Sequence, residues 1–320
     1  MDHPERALLG GAGIVAGLAL VFVGGLMGLL LLIQAWVAGG TAPVPSSYLV
    51  SLWMPLVQEE AARYGVPTAL DLGLIAHESA GNWLAERQDP NGTVDAGLQQ
   101  VNSSHWAATG LSQDPYAPGA NVTAGLRLLA AAVSGHPGDL DAALEAYNGY
   151  GTGYAAAVLA QVDAFEAGPQ VFAWPVESRV ARGLFGLMGG GQYRAAASAG
   201  PGMAYVLVTA LCPCGQPYAS EGRIWTPILT PQQITLVDQQ SDSAPGPPEA
   251  MASSASAPDG LRLITPPESG YFWAAVPISP STATQVTVTA TWRYTEVQDG
   301  RRQMITRTAR TSLTMRQGGA

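Results

Sequence analysis

Residues 8–37 place the strongest constraint on this chain. They are almost wholly apolar and lie inside a stretch from Ala7 to Gln58 without any charged side chain. As a helix rising about 1.5 Å per residue, this segment exceeds the roughly 30 Å hydrocarbon core of a bilayer, so it predicts one transmembrane helix with room to tilt. The alternative is a cleaved signal peptide, whose apolar region is usually only about 7–15 residues long. We expect a retained anchor, with all later residues on one side of the membrane.

The segment that follows the expected anchor contains residues that typically begin and end helices. Gly65 can end one helix in the left-handed conformation, and Pro67 can begin the next. Asn121 predicts the N-cap of an apolar helix, and Asp139 predicts the cap of a helix over residues 140–147. Residues 46–168 are therefore expected to form a mostly α domain.

The composition changes after residue 168. Residues 169–199 predict a glycine-rich linker region, and residues 200–320 predict a mostly β domain, with a disordered loop rich in Ser, Pro and Ala near residues 239–260. Alternating residues on both sides of Asp299-Gly300 predict a terminal β-hairpin. The expected fold is multidomain: an anchor and linker over residues 1–45, the α domain, and the C-terminal β domain.

Charge and cysteine content exclude some functions. Residues 46–170 hold three basic and thirteen acidic side chains, a net charge of −10, whereas residues 171–320 hold eleven and nine, a net charge of +2. An acidic domain lacks the basic footprint that nucleic acid requires. The two cysteines, Cys212 and Cys214, are too close for an unstrained bridge, so we expect two free thiols.

Two carboxyl groups indicate the chemistry. Glu78 closes an apolar helix, where burial would keep its proton near neutral pH. Asp95 lies 17 positions later in a glycine-bearing loop, where a carboxylate tends to stay ionised. In glycoside cleavage one carboxyl protonates the leaving oxygen, and another steadies the cationic transition state. The pair therefore predicts an enzyme that cuts glycans.

Three motifs in this order resemble a known family. They are Glu78-Ser79 with Asn82, then residues 97–102, then Ala146-Tyr147-Asn148-Gly149. Residues 50–165 thereby resemble the soluble-lytic-transglycosylase (SLT) domain of the lysozyme superfamily, and are most similar to the wall-opening enzymes of conjugation and type IV secretion. The resemblance implies that Glu78 is the sole catalytic acid and base. The residues it assigns to substrate binding are Ser79, Asn82, Gly97, Gln99, Gln100, Asn102, Tyr147 and Asn148. Gln99 replaces the usual Met of the family, which changes the polarity expected there.

Asp95 leaves the product open. Residues 91–97 also resemble the β-turn segment of animal-type lysozymes, in which the Asp is a second catalytic carboxylate. Lytic transglycosylases manage without this group and form a 1,6-anhydro product by attack of the substrate's own 6-hydroxyl. A role for Asp95 in holding its loop through backbone N–H groups is an equally good interpretation.

The apolar segment predicts a single-pass membrane protein, and the resemblance implies that its catalytic domain lies outside the cytoplasm of a bacterial cell and cleaves the MurNAc-β-1,4-GlcNAc bond of peptidoglycan. The alternatives are a hydrolytic muramidase and a non-catalytic wall-binding assembly factor. Scattered histidines, with none after His136, predict no metal site and no cofactor. The arginine-rich terminal hairpin is a candidate docking surface for subunits of a secretion or conjugation channel, for anionic wall polymer or for lipid.

Overall fold

The structure is a computed structural model that describes residues 46–149, 151–176, 203–238, 262–264, 271–277 and 284–315. The predicted membrane segment at residues 8–37, the linker to residue 45 and the predicted disordered loop at residues 239–260 lie outside the described residues. Within the described part, no helix is both long and apolar enough to cross a bilayer.

Seven α-helices occupy the first half of the described chain. They are α1 (Ser46–Leu52), α2 (Met54–Tyr64), α3 (Thr68–Ser79), α4 (Trp106–Thr109), α5 (Pro118–Gly135), α6 (Leu140–Tyr147) and α7 (Tyr154–Glu166). Gly65 ends α2 with a φ of 67°, and the Asp139 carboxylate accepts a hydrogen bond of 3.0 Å from the backbone N–H of Ala142 at the start of α6. Both helix ends agree with the sequence predictions.

The expected role of Asn121 as an N-cap is wrong. Helix α5 begins at Pro118, and Asn121 lies in its first turns, fully buried. Proline suits the first turn because the N–H that it lacks would have no partner within the helix. The side chain of Asn121 is thus available for contacts outside its own helix.

A small antiparallel sheet lies between α3 and α4. Its strands are β1 (Glu86–Gln88), β2 (Val94–Ala96) and β3 (Val101–Asn102), in the order β1-β2-β3. A 3₁₀ turn over Ser103–His105 then leads into α4. The residues predicted for the site lie at the end of α3, in this sheet and at the end of α6.

The second half of the described chain is β-rich, as predicted. Its strands are β4 (Gln170–Val176), β5 (Met203–Pro213), β6 (Tyr218–Ser220), β7 (Arg223–Trp225), β8 (Ile228–Leu229), β9 (Gln233–Asp238), β10 (Arg262–Ile264), β11 (Tyr271–Pro277), β12 (Thr284–Gln298) and β13 (Arg301–Met315). One sheet has the order β10-β11-β5-β4, with β8 paired to β5, and a second has the order β13-β12-β9. Strand β4 occupies the start of the segment predicted as a linker.

Strands β12 and β13 form the predicted hairpin. Fifteen residue pairs join them in antiparallel register, from Thr284 opposite Met315 to Gln298 opposite Arg301. Asp299 and Gly300 connect the strands with φ values of 50° and 73°. Two consecutive positive φ values are typical of the tight turns that match strand twist, which explains the Asp-Gly pair.

Strand β5 is buried on both faces and joins the two halves of the chain. Val206, Val208 and Ala210 face a core shared with the second sheet, whereas Leu211 belongs to the hydrophobic core of the helices. Successive strand residues point to opposite faces, so one strand serves both cores. A hydrogen bond of 2.6 Å between the hydroxyls of Ser51 and Thr209 crosses the same boundary.

The expectation of free thiols is wrong, because Cys212 and Cys214 form a disulfide. Their Cα atoms lie 5.3 Å apart, within the range that a disulfide can span. Pro213 stands between them at the end of β5, and both cysteines are buried.

The shared core predicts that damage in the β part will destabilise the helices. Trp225 is 0% exposed and belongs to the core of the helices, so Trp225→Ala should lower the free energy of unfolding by about 3–5 kcal/mol. Its neighbour Ile224 is 63% exposed, and Ile224→Ala should change stability by no more than about 0.5 kcal/mol. Urea unfolding monitored by helical circular dichroism measures both. An unchanged helical transition in Trp225→Ala would argue against a shared core.

Candidate active site

Helix α3 carries Glu78 one residue before its end, and that end is tightly held. The hydroxyl of Ser79 donates to the carbonyl of Ile75 and accepts from the N–H of Gly81, both at 3.2 Å. The indole N–H of Trp53 donates to the carbonyl of Gly81 at 2.8 Å. Gly81 has a φ of 82°, a conformation that favours glycine. The helix terminus, and with it Glu78, is therefore fixed.

The Glu78 carboxyl is largely buried, and burial raises its pKa from 4.5 to about 7. Two influences oppose burial by favouring the ionised form: the hydrogen bond from the Tyr154 hydroxyl and the positive charge of Arg87. The negative charge of Asp95 acts with burial. A group balanced in this way is partly protonated near neutral pH, so it can both give and take a proton.

Tyr154 is the hydrogen-bond partner of Glu78 and was missed in the sequence analysis. It is the first residue of α7, and its hydroxyl donates to Glu78 Oε1. Its ring stacks on that of Tyr147, with 6.5 Å between centroids, and meets the edge of His77 at 5.0 Å. Burial, followed by the charge of Glu78, raises the pKa of Tyr154. Nothing in its sequence context distinguishes it from Tyr150, four residues earlier.

Asp95 lies in the small sheet with both carboxylate oxygens engaged. Register places Arg87, Asp95 and Asn102 side by side on β1, β2 and β3. Arg87 forms an ion pair with Asp95 Oδ2, and Asn102 Nδ2 donates to Asp95 Oδ1 at 2.7 Å. Asp95 is only 5% exposed. Its carboxylate thus holds three strands together and acts on Glu78 through its charge.

Gly97 and Gln100 shape the loop between β2 and β3. Gly97 has a φ of 81°, and a Cβ there would lie 2.2 Å from the amide nitrogen of Asn121, so only glycine fits. Gln100 also has a positive φ, of 45°, and its side-chain amide donates to the carbonyls of Ala85 and Gly97 at 3.0 and 2.9 Å. Both residues hold the loop in shape.

Gln99 points inward, whereas the resemblance placed it with the substrate-binding residues. Its side chain is fully buried, and its Nε2 donates to Asp71 Oδ1 at 2.7 Å. Its backbone N–H donates to Asn121 at 2.8 Å, and its carbonyl accepts from the Tyr147 hydroxyl at 3.0 Å. Gly125 of α5 makes room for it, because a Cβ there would lie 1.7 Å from Gln99 Oε1.

Of the other residues predicted to bind substrate, some are hydrogen-bonded to the backbone of the domain and one is exposed at its surface. Asn82 accepts from the N–H of Leu84 at 3.1 Å, and Asn102 accepts from the N–H of Ser104 at 3.0 Å. Asn148 is exposed at the end of α6. The structure thus brings Glu78 together with Tyr154, and most of the expected contact residues are hydrogen-bonded within the domain.

Across the residues that the structure describes, no three His, Cys, Asp or Glu side chains are grouped so that they could hold a metal ion.

The raised pKa of Glu78 makes stability depend on pH. Between about pH 4.5 and 7 the folded protein keeps a proton that the unfolded chain releases, so unfolding becomes easier as pH rises. Glu78→Gln cannot ionise and should be more stable than wild type above pH 7, by about 2–3 kcal/mol, with no gain below about pH 4.5.

Urea denaturation across this pH range measures the effect. Glu59→Gln is the matched control, since the Glu59 side chain is 64% exposed, and it should retain the wild-type dependence. Identical pH slopes for Glu78→Gln and wild type would show that this carboxyl is not buried as described.

The segment that carries these residues is similar to a known protein family. Residues 55–168 match the family model described as the Transglycosylase SLT domain. No curated protein matches the chain. The matched segment includes Glu78, the small sheet, Tyr147 and Tyr154. Residues 55–168 are thus similar to the lysozyme-like transglycosylase SLT domain, and this match supports a glycan-cleaving activity on peptidoglycan at the level of the family.

Proposed function

We propose that this protein is a membrane-anchored lytic transglycosylase that cleaves the MurNAc-β-1,4-GlcNAc bond of peptidoglycan with Glu78 as its only acid and base. The environment of the Glu78 carboxyl is the observation that carries this proposal. Burial brings its pKa to about 7, and Tyr154 donates to it. A catalytic acid that must later act as a base works best with a pKa near the pH of the reaction.

The reaction needs one proton, which Glu78 donates in the first step and regains in the second. Neutral Glu78 protonates the glycosidic oxygen, the bond from that oxygen to C1 of MurNAc breaks, and an oxocarbenium-like cation forms. The 6-hydroxyl of the same sugar attacks C1 and passes its proton to ionised Glu78. The product is a 1,6-anhydro end, and no water is consumed. Tyr154 and Arg87 favour the ionised form, so they stabilise Glu78 after it has given up its proton.

The alternative is a hydrolytic muramidase that uses Asp95 as a second catalytic carboxylate. The contacts of Asp95 favour the single-carboxylate route, because Arg87 occupies one oxygen and Asn102 the other. A nucleophilic carboxylate must face the sugar instead. A non-catalytic wall-binding factor is favoured less still, since a protein that only binds the wall has no use for a largely buried carboxyl with a pKa of about 7.

Turnover of purified peptidoglycan tests the proposal. Glu78→Gln should lower turnover by roughly 10²–10⁴-fold, while Glu59→Gln should keep wild-type activity. Activity of the wild type should fall about tenfold per pH unit above pH 7, where Glu78 loses its proton. Mass spectrometry of the released muropeptides should show anhydro ends. Full turnover by Glu78→Gln would refute the proposal, and reducing ends would favour the hydrolytic alternative.

We also propose that residues 8–37 anchor the chain in the bacterial cell membrane, with the remainder outside the cytoplasm. The length of this apolar segment supports the anchor. The disulfide between Cys212 and Cys214 supports an oxidising compartment. Protease protection in spheroplasts measures the orientation, and a domain that stays protected would argue against it.

The terminal hairpin is proposed to dock an acidic surface of a conjugation or secretion channel. Strand β9 pairs with β12 only from Val286 to Thr291, so the rest of the hairpin is a two-stranded ribbon within the described chain. Register places Arg293, Arg302 and Arg310 on one face, whereas Arg301 lies on the other. The first face carries no acidic side chain among the described residues of β12 and β13. The charges of this face suit an anionic partner.

Crosslinking in cells tests this docking. A photoreactive residue at Thr306, opposite Arg293, should capture a channel subunit. Changing Arg293 and Arg310 to Glu should abolish capture, because both charges reverse on the docking face. Arg301→Glu is the control on the opposite face and should leave capture intact. Equal loss in both variants would mean that charge on this face is not what binds.

A further inference from the structure

Two buried side-chain atoms in the described part of the chain have no hydrogen-bond partner, and they belong to neighbouring side chains. They are Asp71 Oδ2 and Gln99 Oε1. The same two side chains are already joined through their other atoms, since Gln99 Nε2 donates to Asp71 Oδ1 at 2.7 Å. Buried polar atoms without partners are costly, so two of them in one pair require an explanation.

The protonation state of Asp71 decides whether this pair is satisfied. An ionised Asp71 has only acceptor oxygens, and Gln99 Oε1 is also an acceptor. Neither unpaired atom could then receive a hydrogen bond from the other side chain. A protonated Asp71 carries one O–H donor. If that hydrogen lies on Oδ2, it can be donated to Gln99 Oε1. One proton then satisfies both atoms.

We infer that Asp71 is held as the neutral acid and forms a closed two-bond pair with the Gln99 amide, which positions the helix that carries Glu78. Asp71 Oδ2–H donates to Gln99 Oε1, and Gln99 Nε2–H donates to Asp71 Oδ1. Asp71 is a positioning residue in this arrangement and does not touch the substrate. Its consequence for catalysis depends on the proposed function of Glu78.

The surroundings of Asp71 support the neutral form. The residue is 0% exposed, and burial raises its pKa well above the usual value, while the hydrogen bond from Gln99 lowers it. No charged side chain of the described residues contributes to this pKa. The charge of Asp71 affects the pKa of Tyr147 in α6. Burial is the main cause that raises this pKa, followed by the charges of Glu78, Asp71 and Asp95. An isolated buried carboxylate with no cation nearby is the form that a protein interior disfavours most.

The location of the pair explains why it matters for Glu78. Asp71 precedes Glu78 by seven residues on α3, so the two lie on the same face of the helix, about 10 Å apart along its axis. Gln99 is fixed through its carbonyl by the Tyr147 hydroxyl. Tyr147 stacks on Tyr154, which donates to Glu78. Asp71 and Glu78, both on α3, are therefore linked through Gln99, Tyr147 and Tyr154.

Four variants of the full chain test the pair by urea unfolding. Asp71→Asn retains a donor and an acceptor, so its unfolding equilibrium constant at pH 5 should stay within about threefold of wild type. Gln99→Met, which removes both partners of the acid, should raise this constant roughly tenfold or more, and Asp71→Leu leaves the Gln99 amide buried and should do the same. The double variant Asp71→Leu/Gln99→Met should recover most of the loss, because replacing both partners by apolar groups leaves no polar atom unpaired.

The pH dependence identifies the proton. The folded wild type keeps a proton on Asp71 that the unfolded chain releases above about pH 4, so wild type should lose stability as pH rises and Asp71→Asn should lose less. Infrared difference spectra of wild type against Asp71→Asn at pH 7 should show the C=O stretch of one carboxylic acid. The position of the alkaline limb of the pH–rate profile should shift in Gln99→Met and return in the double variant.

The outcomes are distinguishable. A carboxylate band in place of the acid band, or equal pH slopes for wild type and Asp71→Asn, would overturn the neutral pair. Additive losses in the double variant would do so as well. If the wild type cleaves no peptidoglycan, the proposed function fails, while the spectra and the unfolding cycle still decide the state of Asp71.

Discussion

Partial burial of the Glu78 carboxyl is the constraint on which the rest of the site depends. Burial alone would favour a permanently protonated acid, which could not act as a base. The Tyr154 hydroxyl and the charge of Arg87 offset part of that effect, and the resulting pKa of about 7 lets the group work in both directions. Each opposing group comes from a different element: Tyr154 begins α7, and Arg87 lies on β1. The balance therefore exists only while the helices and the small sheet keep their relative positions.

That requirement explains why so many polar residues of the site contact each other. Asn102 ties β3 to β2, Gln100 closes its own loop, and Asn121 of α5 holds the backbone of Gln99. Each hydrogen bond contributes only modestly to stability, yet each would leave a buried polar group without a partner if broken. The proposed function needs such a rigid support, since a shift of about 1 Å can cost a large part of the rate of a catalysed reaction.

The sequence was most informative where a signal was local. Gly65, Asp139 and the Asp299-Gly300 pair specify backbone conformation within a few residues, and these boundaries were predicted. The raised pKa of Glu78 was predicted in the same way, from its position at the end of an apolar helix. Tyr154, by contrast, meets Glu78 across 76 positions, and Asp71 meets Gln99 across 28. Such pairs arise from the packing of helices, which apolar periodicity predicts only in outline. Asn121 shows the same limit. Asparagine is a common N-cap residue, but here it is buried within α5 and accepts a hydrogen bond from the backbone N–H of Gln99.

The folding unit extends beyond the segment that matches the family model. That segment begins at residue 55, yet Trp53 precedes it and donates to Gly81 just after the helix of Glu78. A Cβ on Gly81 would lie 2.7 Å from the backbone of Leu49 and Val50, so α1 packs directly against this turn. Ser51 of α1 is hydrogen-bonded to Thr209 of β5, and Leu211, two residues further along that strand, belongs to the core of the helices. A continuous set of contacts therefore leads from the β-rich half to the end of α3. Since the position of that helix end sets the burial of Glu78, the β-rich half is part of the structure that maintains its pKa.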